Sequence, residues 1–229
     1  MHRFYMPDIA AGRAKPRRAQ LHQLRHVLRL RDGEELAVFD GSGLEWVARL
    51  CGDSVELVRP IEGVVEAQTQ LTLFQAMIKP ARFELVLQKG TELGITRFVP
   101  FVAERSVGTG ERSARWQSIV IEAAEQSGRR LVPEIAPVLP FDEAITEAVS
   151  RGAPFMPWEG ADHPKLSAVH RRRRHLAVIV GPEGGFTESE VERARARGAL
   201  TVTLGRRILR AETAAIVAAT LLLHLNGEL

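Results

Sequence analysis

The spacing of apolar positions changes rhythm about a third of the way along the chain. In "QLHQLRHVLRL", Leu21, Leu24, Val27 and Leu28 recur at helical spacing, which predicts a helix with one core face and leaves His22, Arg25, His26 and Arg29 for the others. The next stretch, "ELAVFDGSGLEWVARLCGDSVELV", has short β-prone runs parted by "DGSG" and "CGD", both reversal sequences, and predicts hairpins or a small barrel. From Leu71 the pattern becomes strand then helix. Strands are expected at "LTLFQAMI", "RFVPFV", "APFMPW", "LAVIVG" and "LTVTLG". Helices are expected at "ARFELVLQKGTELG", "ARWQSIVIEAAEQSGR", "FDEAITEAVSRG", "TESEVERARARG" and "ETAAIVAATLLLHLNG". This alternation predicts an α/β unit, a mostly parallel sheet with helices on both faces. Gly94, Gly152, Gly198 and Gly227 stand where left-handed C-terminal caps would end four of those helices. The change of pattern falls between Ile61 and Gln70, so a β-rich unit over residues 1–68 and an α/β unit over 71–229 are expected.

Composition adds bounds. With 229 residues, 45% of them hydrophobic and 26% charged, the chain has an ordinary globular balance. Its longest apolar run, Ala214 to Leu225, contains Thr220 and His224 and is too short for a bilayer, and the first residues lack an apolar signal core. A cytoplasmic protein with no membrane partner is expected. Cys51 is the single cysteine, which excludes an intramolecular disulfide and a cysteine metal cluster and assigns Cys51 to packing. His22 and His26 are four apart but have no third ligand beside them, so no metal site is expected.

The net charge is only +3, but it is segregated: residues 1–31 hold eight basic residues against Asp8 alone, or +7, leaving −4 for the rest. A polyanion partner is the natural expectation, because lysine and arginine gain by displacing counterions from phosphates, with a merely solvated basic face as the alternative. A second basic cluster, "HRRRRH" from His170 to His175, precedes a strand and suits a plain surface loop or a phosphate contact.

In an open parallel sheet, ligands sit beyond the carboxyl ends of strands. The first loop there is "GPEGGF", Gly181 to Phe186, followed by Thr187 and Glu190 at capping-box spacing. Its glycines permit close backbone approach to a ligand or simply a bend. A phosphate loop would need Lys then Ser or Thr, where Phe186 and Thr187 stand, and Glu183 would repel a phosphate. The second loop, "LGRRILRAETAA" from Leu204, gathers Arg206, Arg207, Arg210 and Glu212 around two aliphatic residues, as an ion pair at a helix start or as a site. In "IEAAEQSGRR", Glu122, Gln126 and Arg129 share a helix face, while Glu125 and Arg129 suit a stabilising pair.

Taken together, "RFY", "RHVLRLRDGEELAVFDGSG", "QKGTELGI", "ERS", "EAAEQSGR", "VGPEGGFTESE" and "LGRRILRAETA" resemble, in order and spacing, the RsmE family of 16S ribosomal RNA uracil-N3 methyltransferases, of the SPOUT superfamily. The resemblance covers nearly the whole chain. It implies a PUA-like RNA-binding β-barrel followed by an α/β trefoil knot with a parallel sheet, acting as a homodimer on 16S ribosomal RNA of the small subunit. It implies S-adenosylmethionine as methyl donor, leaving as S-adenosylhomocysteine, and no metal. Carried over, the cofactor pocket comprises Gly181, Glu183, Gly184 and Gly185, with Leu204, Gly205, Ile208, Leu209 and Arg210, and Trp158 and Glu159 as a third wall. For the transfer, Arg210 is the first candidate to stabilise the uracil anion, with Glu212 holding it and Arg3 contributing from the N-terminal unit. RNA contacts are expected at Arg3, Arg17, Arg18, Arg25, Arg29, Glu122, Gln126 and Arg129. A ribose 2'-O methyltransferase and a non-catalytic ribosome-assembly factor are the rival expectations.

Overall fold

The computed structural model describes residues 1–63, 66–107, 113–159 and 163–229. It divides into two compact units, Met1–Glu66 with Ala124–Val132, and Ala67–Ala123 with Pro133–Leu229. The return of 124–132 to the first unit lies outside the continuous 1–68 segment expected from the sequence.

The first unit carries a six-stranded sheet built from β1 (Arg3–Tyr5), β2 (Ile9–Ala10), β3 (Arg13–Ala14), β4 (Glu35–Phe39), β5 (Glu45–Cys51) and β6 (Ser54–Pro60), ordered β1-β4-β5-β6-β3-β2. Both expected reversals are present, since β4 pairs antiparallel with β5 and β5 with β6. Phe4, Leu36, Val38, Ala48, Leu50 and Val55 alternate inward from these strands and, with Leu24, form the core.

The predicted helix of this unit is present but changes pitch: α1 (Arg18–His22) runs into a π-helical turn, Gln23–Val27. There the amide of Leu28 donates to Gln23 O, five residues back, and that of Leu30 to Leu24 O. The wider turn delays each later side chain relative to a 3.6-residue helix. Leu24 stays fully buried and Leu28 packs against the core, but Val27, expected inside, is 67% exposed. Cys51, also expected to pack, is exposed at the end of β5.

The second unit carries β7 (Gln70–Ala76), β8 (Arg97–Val102), β9 (Glu134–Ile135), β10 (Leu139–Pro140), β11 (Phe155–Pro157), β12 (His175–Val180) and β13 (Leu200–Val202). The order is β10-β8-β7-β12-β11-β13, with β9 also on β8, and every pairing is parallel. Its helices are α2 (Pro80–Leu93), α3 (Ser113–Ser127), α4 (Phe141–Ser150), α5 (Leu166–Val169), α6 (Glu188–Ala196) and α7 (Ala211–Asn226). Alternation along the strands sends Phe74, Val99, Phe101, Ala177 and Ile179 to one face, where α4 and α6 cover them with Phe141, Ile145, Val191 and Ala194. On β7 and β12 also packs α7, which lies against α2. The expected glycine caps hold: Gly94 and Gly227 end α2 and α7 with φ of 110° and 88°. No described helix is long and apolar enough to cross a membrane.

Candidate active site

Three loops leave the carboxyl ends of β12, β11 and β13, and they converge on one cleft. Its empty space, open side included, is about 820 Å³. The turn after β12 supplies Gly181, Glu183 and Gly185; the loop after β11 supplies Trp158 and Glu159; the loop after β13 supplies Leu204, Gly205, Ile208 and Leu209. These are nine of the positions expected from the sequence. Residues beside them that the sequence did not single out, among them Pro182, Phe186 and Thr203, complete the walls.

Each wall is fixed locally. The capping box forms as expected: Glu190 N donates to Thr187 Oγ1 (3.3 Å) and Thr187 N to Glu190 Oε2 (3.0 Å), so the turn ends where α6 begins. Phe186 folds back under the turn so closely that a Cβ on Gly181 would lie 2.9 Å from its ring, which makes glycine obligatory there. On the β13 side, Thr203 Oγ1 accepts from Gly205 N (3.1 Å) and donates to Gly205 O (3.0 Å), closing a turn in which Gly205 takes φ 134°. Trp158 is held between its neighbours, 5.1 Å from the His163 ring and with the Arg195 guanidinium 5.6 Å from its centroid.

Behind the cleft, Arg82 of α2 ties two walls together. Its guanidinium lies 3.2 Å from Glu183 Oε1 and 3.7 Å from Glu212 Oε1, and Lys79 N also donates to Glu183 Oε1 (3.3 Å). Glu183 Oε2 and Glu212 Oε2 are buried without a hydrogen-bond partner among the described residues. Of these two acids Glu183 lines the cleft, together with Glu159 of the loop after β11, and their carboxylates suit a ligand bearing positive charge. The loop after β13 is the opposite in character: Arg206 and Arg207 line the cleft, Arg210, expected in the pocket, falls outside its lining, and all three are exposed with no carboxylate within 4.0 Å among the described residues. Ile208, 79% exposed, offers bare aliphatic surface beside them. The donor set therefore fits a ligand with a flat apolar ring and a cationic centre.

Several expected roles change. Glu212 faces Arg82, not Arg210, which stands exposed as the residue preceding α7. Gly184 turns away from the cleft, its carbonyl accepting from Arg105 Nη1 (3.0 Å). Arg3 makes four hydrogen bonds, to Glu45 Oε1 (2.7 Å) and to the carbonyls of Ala124, Glu125 and Arg129 (3.0, 3.0 and 3.1 Å), so its donors satisfy open carbonyls where α3 ends. Arg129 is 4% exposed and paired with Glu66 (2.9 Å), turned away from the exposed Glu122 and Gln126. Arg25 is spent on Asp32, Leu30 O and Gly52 O, and this hydrogen bond holds the Asp32 carboxyl below its ordinary pKa. Arg17, Arg18 and Arg29 remain exposed cations.

Arg82 is the participant that sequence reasoning missed: it lies about a hundred residues before its partners, on a helix with no local signal. The carried-over residues were found because each sits in the turn directly after a strand.

The RNA methyltransferase domain model matches residues 65–223, and the RNA methyltransferase PUA domain model matches 17–56. The ribosomal RNA small subunit methyltransferase E of Synechocystis is 37% identical over 87% of this chain and 69% of its own length; that of Bacillus subtilis is 31% identical over 87% and 85%. The crystal structure of the Neisseria gonorrhoeae enzyme of the same name, bound to S-adenosyl methionine, superposes with a TM-score of 0.91 at 34% identity over 98% of both chains. The chain belongs to the ribosomal RNA small subunit methyltransferase E family, with its methyltransferase domain over the parallel sheet and its PUA domain in the N-terminal unit.

Proposed function

We propose that the protein methylates N3 of one uridine in 16S ribosomal RNA, within the small ribosomal subunit, using S-adenosylmethionine in the cleft between the Gly181 and Leu204 loops. The observation that carries this reading is the convergence of the three strand-end loops on one cleft, whose lining sets Glu159 and Glu183 against Arg206 and Arg207. When bound, S-adenosylmethionine supplies an electrophilic methyl on a sulfonium and leaves as S-adenosylhomocysteine. Glu159 and Glu183 suit the positive charge of that donor, and Ile208 and Leu209 suit the faces of its adenine.

Uracil N3 carries a weakly acidic proton. Its loss to solvent water leaves an anion spread over the two flanking carbonyl oxygens, which takes the methyl as the S–CH3 bond breaks, and positioned cations lower the cost of forming that anion. Arg206 and Arg207 of the cleft lining are cations suited to this task, and Arg210, exposed and next in the same loop, is the candidate for it carried by the family motif. Glu183 and Glu212 act at one remove, by fixing the loop and the start of α7 that carry these arginines. Arg17, Arg18 and Arg29 grip phosphates beside the target, which leaves its stack to expose N3. Activity as a cytoplasmic homodimer and the trefoil knot belong to the same reading. The half-buried Ile216, Val217 and Leu221 on α7 favour a subunit contact there.

Labelled-methyl transfer to unmodified small subunits, free 16S RNA and transfer RNA tests the substrate class. Label is expected in the small subunit; label in transfer RNA alone would overturn the reading. Arg210→Ala should lower kcat about 100-fold or more at saturating RNA and cofactor, and normal turnover would remove Arg210 from the mechanism.

A further inference from the structure

The arginines of the second unit sort by whether an acid meets them. Arg82, Arg97, Arg115, Arg151, Arg193 and Arg197 each have a carboxylate within 4.0 Å. Arg171 to Arg174, four in a row, have none among the described residues. A floppy charged loop would be unremarkable, but this segment is pinned at every step. His170 N donates to Leu166 O (3.0 Å), its ring is buried and stacked on Phe155, and Nε2 lies 3.1 Å from Asn226 Oδ1. Asn226 Nδ2 donates to Arg173 O (2.8 Å), and Gln70 N to Arg174 O (2.7 Å). Arg173 folds in over Phe155, 5.6 Å from its centroid. What remains is a fixed backbone with Arg171, Arg172 and Arg174 exposed, Arg171 using Nη1 alone on His170 O (2.8 Å) and Ala168 O (3.4 Å).

Rigid, uncompensated arginines lose little entropy on meeting an anion, and their forked donors match phosphate oxygens in pairs. Their field already reaches inward: after burial, the charges of Arg173, Arg171 and Arg172 disfavour the protonated form of His170, against the Asn226 hydrogen bond. The cluster lies at the start of β12, and the cleft at its end. Six strand residues at about 3.3 Å each separate the two by roughly 20 Å, so the cluster is no part of the methyl-donor site. An anion spanning that distance from the reacting uridine is a polynucleotide.

We infer that Arg171, Arg172 and Arg174 form a second anchoring surface for ribosomal RNA phosphates, at the end of the sheet away from the methyl-transfer cleft. The inference rests on the proposed RNA substrate and adds a site to it. The test is a triple variant, Arg171→Ser, Arg172→Ser and Arg174→Ser, which leaves Arg173 on Phe155. Binding to 16S RNA and to a short oligonucleotide carrying only the target loop is measured against salt, with a cofactor titration beside it. On 16S RNA, the slope of log K against log salt should become shallower by about 2 to 3, at 0.7 to 0.9 per phosphate contact. On the oligonucleotide it should be unchanged, as should cofactor affinity, and the triple Arg→Lys variant should restore the slope. An unchanged slope on 16S RNA overturns the inference, and so does an equal loss on the oligonucleotide. Salt-sensitive loss of binding to phosphatidylserine vesicles with the RNA slope intact also overturns it, in favour of a lipid surface. If the wild type binds 16S RNA through this patch yet methylates none, the proposed function fails while the second anchor stands.

Discussion

Arg82 shows how a residue with no chemistry of its own sets a site. By meeting Glu183 and Glu212 from behind, it holds the glycine turn and the start of α7 in one frame. Arg82→Met should therefore weaken cofactor binding about tenfold, or 1.4 kcal/mol, by calorimetric titration, and Arg82→Lys should recover part of it; an unaltered affinity for the methionine variant would show the walls to be fixed without it. His170 carries a second prediction. Burial, its largest influence, holds its pKa below the ordinary 6.5, so the folded chain keeps it neutral where an unfolded chain would take up a proton. The stability this gives is complete above about 6.5 and is lost as pH falls below that value toward the lower folded pKa. The melting temperature should thus fall less between pH 7 and 5 in His170→Gln than in the wild type; identical profiles would remove His170 from the acid response.

At the scale of elements, what could be read from the sequence was whatever local periodicity decides. The five strands and five helices of the α/β unit lie within a few residues of their predicted positions, and the capping box at Thr187 and Glu190 formed as its spacing required. The short β9, β10 and α5 were not seen, because two to four residues carry no period. Val27 was misplaced for a different reason: a π-helical turn adds a residue without leaving any mark on the apolar pattern. The corrected phase has an energetic signature. Leu24→Ala should cost ~2–5 kcal/mol in a urea titration, as for other fully buried leucines, whereas Val27→Ser should lie within about 0.5 kcal/mol of wild type. A large loss at Val27 would restore the regular helix.

Across the whole molecule, the candidate site was legible where a motif follows a strand directly and illegible where charge acts over long chain separations. Arg3, Arg25 and Arg129 all read as RNA contacts in a basic sequence, yet each is consumed by carbonyls or carboxylates of its own unit. Sequence charge therefore overstates the surface available to RNA, and the exposed cations with no carboxylate beside them among the described residues include those at 17, 18 and 29, Arg206 and Arg207 in the cleft, and Arg171, Arg172 and Arg174. These, with the glycine-walled cleft, define the account: a methyl donor against Glu159 and Glu183 and a uracil against Arg206 and Arg207. Nucleoside mass spectrometry of unmodified small-subunit RNA, after incubation with the protein and S-adenosylmethionine, tests it most directly. One 3-methyluridine per 16S RNA is the predicted product, and a ribose 2'-O-methyl nucleoside in its place would contradict the account.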